Sequence, residues 1–309
     1  MTPVDPRVRP WTRAPVDEFV AQFADQGPFG GLTQWVRAAG RGLDLHLWSD
    51  PSAATHRARV VTGTVGLIDI VWSPNRFQIA ARRPFTRIAA GRLDDAWYPT
   101  RSAPERVRSA VAFGEAAREL AASRAAFGIA ALAGLDVVTQ EYTPQIAGPL
   151  EGMPQIGDIR SALLPSPIPG GDPFFAAAPD AVALGADGVV ELVRVYSSRA
   201  PELRFAAAQA VADLGLVAAL EPGLRRQQAL HLDRTVAARA ALGLPGPSRR
   251  ALDAPARARI LASPDSSPRL ADQFRAVRDR LVERGLLVEG VLRVETVEPS
   301  ASRAAESVA

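Results

Sequence analysis

Residues 179–198 read PDAVALGADGVVELVRVYSS, from Pro179 to Ser198. Two apolar runs rich in valine flank Gly185-Ala186-Asp187-Gly188, and an Asp-Gly pair between such runs signals a tight hairpin turn. The stretch is therefore a strand, a turn and a second strand, with Pro179-Asp180 at the entrance. Along the second strand, side chains alternate between faces, which puts Arg194 and Tyr196 together and Glu191 opposite them. A shift by an odd number of residues would turn every one of these side chains over.

Outward from the hairpin, helix and strand alternate over residues 103–243. Residues 103–134 form an alanine-rich helix with breaks expected near Gly114 or Gly128, and LDVVTQEY (135–142) is a strand. A proline- and glycine-rich loop, LLPSPIPGGDP (163–173), leads into the hairpin. PELRFAAAQAVADLGLVAAL (201–220) then reads as a helix whose first turn accommodates Pro201.

Residues 16–100 differ in kind. A short amphipathic helix over Val16–Ala24 precedes LDLHLWS, ARVVTGTVGLIDIVWS and RFQIAAR, which are rich in β-branched and aromatic residues and divided by Asp-Pro and Ser-Pro-Asn turns. These predict a small antiparallel sheet. After the linker LPGPSRR, residues 250–297 carry Leu270, Phe274, Val277 and Leu281 at helical spacing, a stop at Gly285, and a short hairpin in LLVEGVLRV. A helix followed by a hairpin is the closing half of a winged helix. Residues 1–15 and 298–309 are small, polar or proline-rich, and are expected to be unfolded.

Composition narrows the chemistry. The 309 residues are 47% hydrophobic and 22% charged, enough for a real core. Cysteine is absent, which excludes disulfides and thiolate chemistry, and the three histidines make a histidine-rich metal site a poor prospect. All 36 basic side chains are arginine, so Schiff-base chemistry, a lysine base and a P-loop lysine are excluded. The pI of about 10.1 overstates the basicity, because the net charge is +3 and little titrates between neutrality and the arginine range. No apolar run reaches membrane-spanning length and the N-terminus lacks a signal-peptide core, so no membrane partner and a cytoplasmic location are expected.

The middle region resembles the PD-(D/E)xK nuclease superfamily, whose core is a helix, three strands, a helix and a further strand. The resemblance covers residues 107–220. GEAARELAASRAAFGIAALAGLDVVTQEY is similar to the first helix and strand, where an acid on the helix often joins the site; Glu115 or Glu119 holds that place. PDAVAL is similar to the second strand, with Asp180 as its metal-binding aspartate. VVELVRVYSS is similar to the third, but Arg194 stands where the family has an acid and Tyr196 where it has lysine. The resemblance implies an α+β fold with a restriction-endonuclease-like mixed sheet. It also implies that metal-assisted hydrolysis is lost, since a Mg²⁺ site needs oxygen ligands and the lysine helps activate water. If Glu191 were the working acid, Val193 would fall in the lysine slot; an active site of that kind would use Glu115, Glu191 and Mg²⁺, and otherwise no cofactor is expected.

Other residues suit nucleic acid. Arg82, Arg83 and Arg87 surround Phe85, a pattern fit for base stacking and phosphate contact, though charges guarding a strand edge give the same pattern. On the C-terminal helix Arg275 and Arg278 would face phosphates, whereas interleaved Asp272 and Asp279 fit a solvated, salt-bridged face. His46 and His56, with Asp50 and Asp69 in the same sheet, are acid–base candidates, against which His46 alternates with leucines as the polar side of a strand. These readings lead to a non-catalytic DNA- or RNA-associated or scaffolding protein, in a defence or DNA-handling assembly. The alternatives are a protein-interaction or regulatory protein without nucleic acid, and an enzyme whose site is not apparent in the sequence.

Overall fold

Two five-stranded sheets, each with its own core, share one long helix. The computed structural model describes residues 8–10, 14–50, 55–82, 85–87, 93–94, 96–139, 144–146, 179–197, 222–254, 256–264, 268–283 and 290–297. The fold class is α+β.

A short strand β1 (Val8–Pro10) opens the described chain. The helices α1 (Asp17–Gln22) and α2 (Gly30–Ala39) follow. Then comes the antiparallel meander β2 (Asp44–Asp50), β3 (Thr55–Thr62), β4 (Val65–Ser73), β5 (Arg76–Ala81) and β6 (Tyr98–Pro99), in that order across the sheet. Residues 16–100 carry this sheet together with α1 and α2, and α2 is not among the elements read from the sequence. Its start in GPFGGL obscures Leu32, Trp35, Val36 and Ala39, which follow the helical period and bury one face.

The helix α3 runs unbroken over Ala103–Leu132 with Pro104 in its first turn. Thirty residues span about 45 Å. The expected breaks do not occur, because both glycines are contact points. A Cβ on Gly114 would lie 2.3 Å from the Trp35 ring, and one on Gly128 would lie 2.9 Å from the Thr64 backbone nitrogen. The first two thirds of α3 cover the first sheet, where Val107, Phe113, Ala117 and Ala121 join Phe19, Leu47, Ile70 and Trp72 in one core.

The last turns of α3 reach the second sheet. Its strands are β7 (Asp136–Thr139), β9 (Ala181–Leu184), β10 (Val190–Tyr196), β11 (Arg257–Ala262) and β12 (Leu292–Thr296). They stand in sequence order across the sheet; β9 is antiparallel to both neighbours, while β10, β11 and β12 are parallel. Ala131 of α3 packs with Ala181, Ala183, Val193 and Leu261 on one face. On the other face α4 (Pro222–Ala241) brings Ala229 and Leu232 against Val182, Leu184, Val190 and Leu192. The sheet is thus covered on both sides, which is why its strands read as near-continuous apolar runs.

Within residues 250–297, expected as a helical or winged region, β11 and β12 complete this sheet. Beyond β11, the helix α5 (Pro268–Glu283) returns the chain so that β12 pairs parallel with β11. The first half of the expected hairpin, residues 286–289, lies outside the described residues. Within the N-terminal segment expected to be unfolded, β1 pairs antiparallel with β8 (Pro144–Ile146). The expected helix at 201–220, the loop at 163–173, residues 1–7 and the tail at 298–309 also fall outside the described residues. Among the described residues no helix is long and apolar enough to cross a membrane.

Candidate functional site

The hairpin forms as its sequence dictates. Gly188 donates its N–H to the Gly185 carbonyl and adopts φ +81°, while the Asp187 carboxylate accepts the Val189 N–H at 3.2 Å. A Cβ on Gly188 would also meet the Arg250 carbonyl at 2.8 Å, so both backbone conformation and space require glycine. The strands then pair from Leu184 with Val190 to Ala181 with Val193.

Asp180 lies one step beyond that last pair, at the far end of the hairpin from the turn. Its Oδ2 accepts the Val195 N–H at 2.8 Å. Strand alternation places Arg194 and Tyr196 on the α4 side of the sheet, with Leu192; Arg194 pairs across to Ile260 and Tyr196 to Ala262. Arg194 and Tyr196 are both buried, and each of Asp180, Arg194 and Tyr196 makes further interactions. This donor set does not suit Mg²⁺. The aspartate already holds a backbone amide, a guanidinium is always protonated and offers only donors, and a tyrosine hydroxyl is uncharged at neutral pH.

The other acids of the nuclease-like pattern are held elsewhere. Glu191 is buried on the α3 side, and its Oε2 accepts from Arg259 at 3.0 Å. Glu115 accepts the Trp35 indole N–H, on the part of α3 that serves the first sheet. Sixteen residues separate it from Ala131, about 24 Å along the axis, so Glu115 does not come to the hairpin. Glu119 is exposed on that same part of the helix. Among the described residues no group of three or more His, Asp or Glu is placed to hold a metal ion.

The basic candidates are likewise dispersed. Arg82 pairs with Asp69 at 3.1 Å, Arg87 is exposed, and Arg83 lies outside the described residues. Phe85 is buried in the first core, so it does not offer a ring to a base. Arg275 pairs with Asp272 at 2.9 Å and Arg278 with Asp279 at 2.7 Å, the salt-bridged alternative.

The two histidines occupy opposite faces of the first sheet and form no common site. His56 stacks on Phe19 and lies tilted against Trp72 on the helix side, and hydrogen-bonds Ser49 at 2.7 Å. His46 is 1% exposed on the other side, where α4 closes over it. There Arg239, itself 2% exposed, donates to the Leu45 carbonyl at 2.9 Å, to both Asp44 oxygens at 2.9 and 3.1 Å, and to His46 Nδ1 at 3.4 Å. Its Nε–H also reaches the Pro245 carbonyl at 3.0 Å. Burial lowers the His46 pKa to about 4, the attraction of Asp44 opposing it and the Arg239 and Arg59 charges adding to it. A neutral ring that accepts from arginine is a structural acceptor at neutral pH. Asp69 is tied to Arg59 at 2.5 Å, and Asp50 sits at the end of β2 opposite Thr55.

A cavity of about 480 Å³ lies at the turn end of the hairpin, and no sequence motif announces it. Arg249, Arg257, Arg259 and Arg293 line it, with Asp136, Asp187 and Glu191. Arg249 pairs with Asp136 at 2.6 Å and Arg257 with Asp187 at 2.7 Å. The Val189 N–H first, and Arg257 next, hold the Asp187 carboxyl below its usual range. Arg259 is gripped between Glu191 at 3.0 Å and Glu295 at 2.6 Å. The alternation Arg257, Ala258, Arg259 is visible in the sequence, but the other arginines come from a loop and from β12, which only the strand order brings together.

No protein-family model matches the chain, and neither a curated protein nor a solved structure is significantly similar to it.

Proposed function

We propose that this is a non-catalytic nucleic-acid-associated or scaffolding protein, built on a nuclease-like core whose chemical groups have been replaced. Its place would be a cytoplasmic defence or DNA-handling assembly. The observation that carries the reading is the hairpin end: one Asp180 oxygen accepts the Val195 N–H, and buried Arg194 stands on the face where hydrolysis would need a second acid. Among the described residues the element order is compatible with it, since α3 precedes β7, β9 and β10 and a further strand, β11, joins the same sheet, while the helix expected at 201–220 lies outside the described residues. Packing holds such a core, while the reactive site is a handful of side chains, so the one persists when the other is exchanged.

Fluorescence anisotropy against duplex and single-stranded DNA and RNA at two salt concentrations tests the reading. Phosphate contact releases counterions, so affinity for duplex DNA should fall with a log–log slope of about −0.9 per phosphate contacted. Salt-independent or absent binding would count against it. A protein-interaction role without nucleic acid is the second reading. The pairing of Arg82, Arg275 and Arg278 with carboxylates and the burial of Phe85 favour it.

A further inference from the structure

We propose that the arginine-lined cavity at the turn end of β10 receives a terminal phosphate, the phosphomonoester of a nucleotide or of a nucleic-acid end. The proposal locates an anion contact for the association proposed above and rests on that reading to that extent. The cavity's own chemistry stands without it.

The four guanidiniums are not equivalent. Arg259 is fixed: its pairing with buried Glu191 and with Glu295 uses two of its nitrogens, and its buried Nε–H has no hydrogen-bond partner among the described residues. Arg249, which also donates to the Gly185 carbonyl at 3.2 Å, and Arg257 are held by exposed ion pairs. Their side chains are 37% and 30% exposed and their acids Asp136 and Asp187 are 37% and 46% exposed, and pairs this open contribute almost nothing net. Asp187 also keeps its Val189 N–H if Arg257 turns away. Arg293 is exposed and has no acidic partner among the described residues, although it stands directly beside Arg259 on the neighbouring strand.

A phosphomonoester suits this set. As a dianion it attracts guanidinium more strongly than a carboxylate does, and arginine's planar fork matches two of its oxygens at once. A cavity of about 480 Å³ has room for a chain end or a mononucleotide. The cavity stands at the opposite end of β10 from Asp180 and Tyr196 and on the other face of the sheet from Arg194, so it is separate from the altered nuclease-like site.

The test compares a labelled single-stranded oligonucleotide bearing a 5′-phosphate with the same strand ending in a 5′-hydroxyl. It adds competition by a nucleoside 5′-monophosphate and by inorganic phosphate. The expected result is a preference of about tenfold for the 5′-phosphate. Arg293→Gln and Arg257→Gln should each bring that preference close to unity; both side chains are 30% exposed or more, and the variants are checked for unchanged melting. Displacement by the mononucleotide identifies free nucleotide as a sufficient ligand, and a preference that resists it identifies a nucleic-acid end. Equal binding of the two strands together with no mononucleotide binding overturns the proposal, as does a preference that both variants retain. Salt-sensitive binding of the 5′-hydroxyl strand with no gain from phosphate would defeat the cavity alone. Mononucleotide binding without any oligonucleotide binding would defeat the nucleic-acid reading alone.

Discussion

Arg239 shows what one buried side chain does in this fold. It reaches from α4 to β2 across 194 residues of sequence and satisfies Asp44, the Leu45 carbonyl and the Pro245 carbonyl together. Removing Arg239 leaves the Leu45 and Pro245 carbonyls and the half-buried Asp44 without their donor, so Arg239→Met should cost about 3 kcal/mol in a urea melt. His46 beside it makes stability depend on pH. The folded chain keeps the ring neutral down to about pH 4, whereas the unfolded chain protonates it near 6.5. Between those values the unfolded state binds more protons. The contribution is therefore complete above pH 6.5 and is lost as pH falls toward 4, by roughly 3 kcal/mol. His46→Gln should flatten this part of a stability-versus-pH curve; an unchanged slope would mean that another group titrates there.

At the scale of elements, α3 is the shared member of both cores, and its glycines decide how closely neighbours approach. Alanine is the better helix former by about 1 kcal/mol. Gly114→Ala should nevertheless destabilise the protein by about 1–3 kcal/mol, because the new methyl meets the Trp35 ring. A urea midpoint that rises would show that the ring has room to yield. The same helix marks how far the sequence could be read. Its alanine content predicts it correctly, but glycine in a helical run signals a break as readily as a contact, and only the position of Trp35 decides. The strands β3, β4 and β10 were legible because period-two patterning and turn residues are local. The helix α2 was not, since its glycine-rich start masks a helical period. Phe85 read as a stacking ring and is core, because burial is a tertiary property. The opposite faces of Glu191 and Arg194 followed from alternation alone. The meeting of Arg249, Arg257, Arg259 and Arg293 did not, because it depends on strand order and parallel pairing over more than forty residues of sequence.

For the whole molecule, a net charge of +3 gives little long-range steering, so any hold on nucleic acid must come from local geometry. The proposed function places that geometry on the second sheet, which carries buried Arg194 and Tyr196 at one end of β10 and an arginine-lined cavity at the other. The proposed function is association without hydrolysis, and a single gel reads both parts of it: the protein is mixed with labelled DNA and RNA in Mg²⁺ at low and moderate salt, and each lane is scored for retardation and strand length. The expected strand is shifted and full-length, and its retardation weakens as salt rises. Shortened products that disappear in Asp180→Ala would contradict it, and so would strands that run unshifted in every lane.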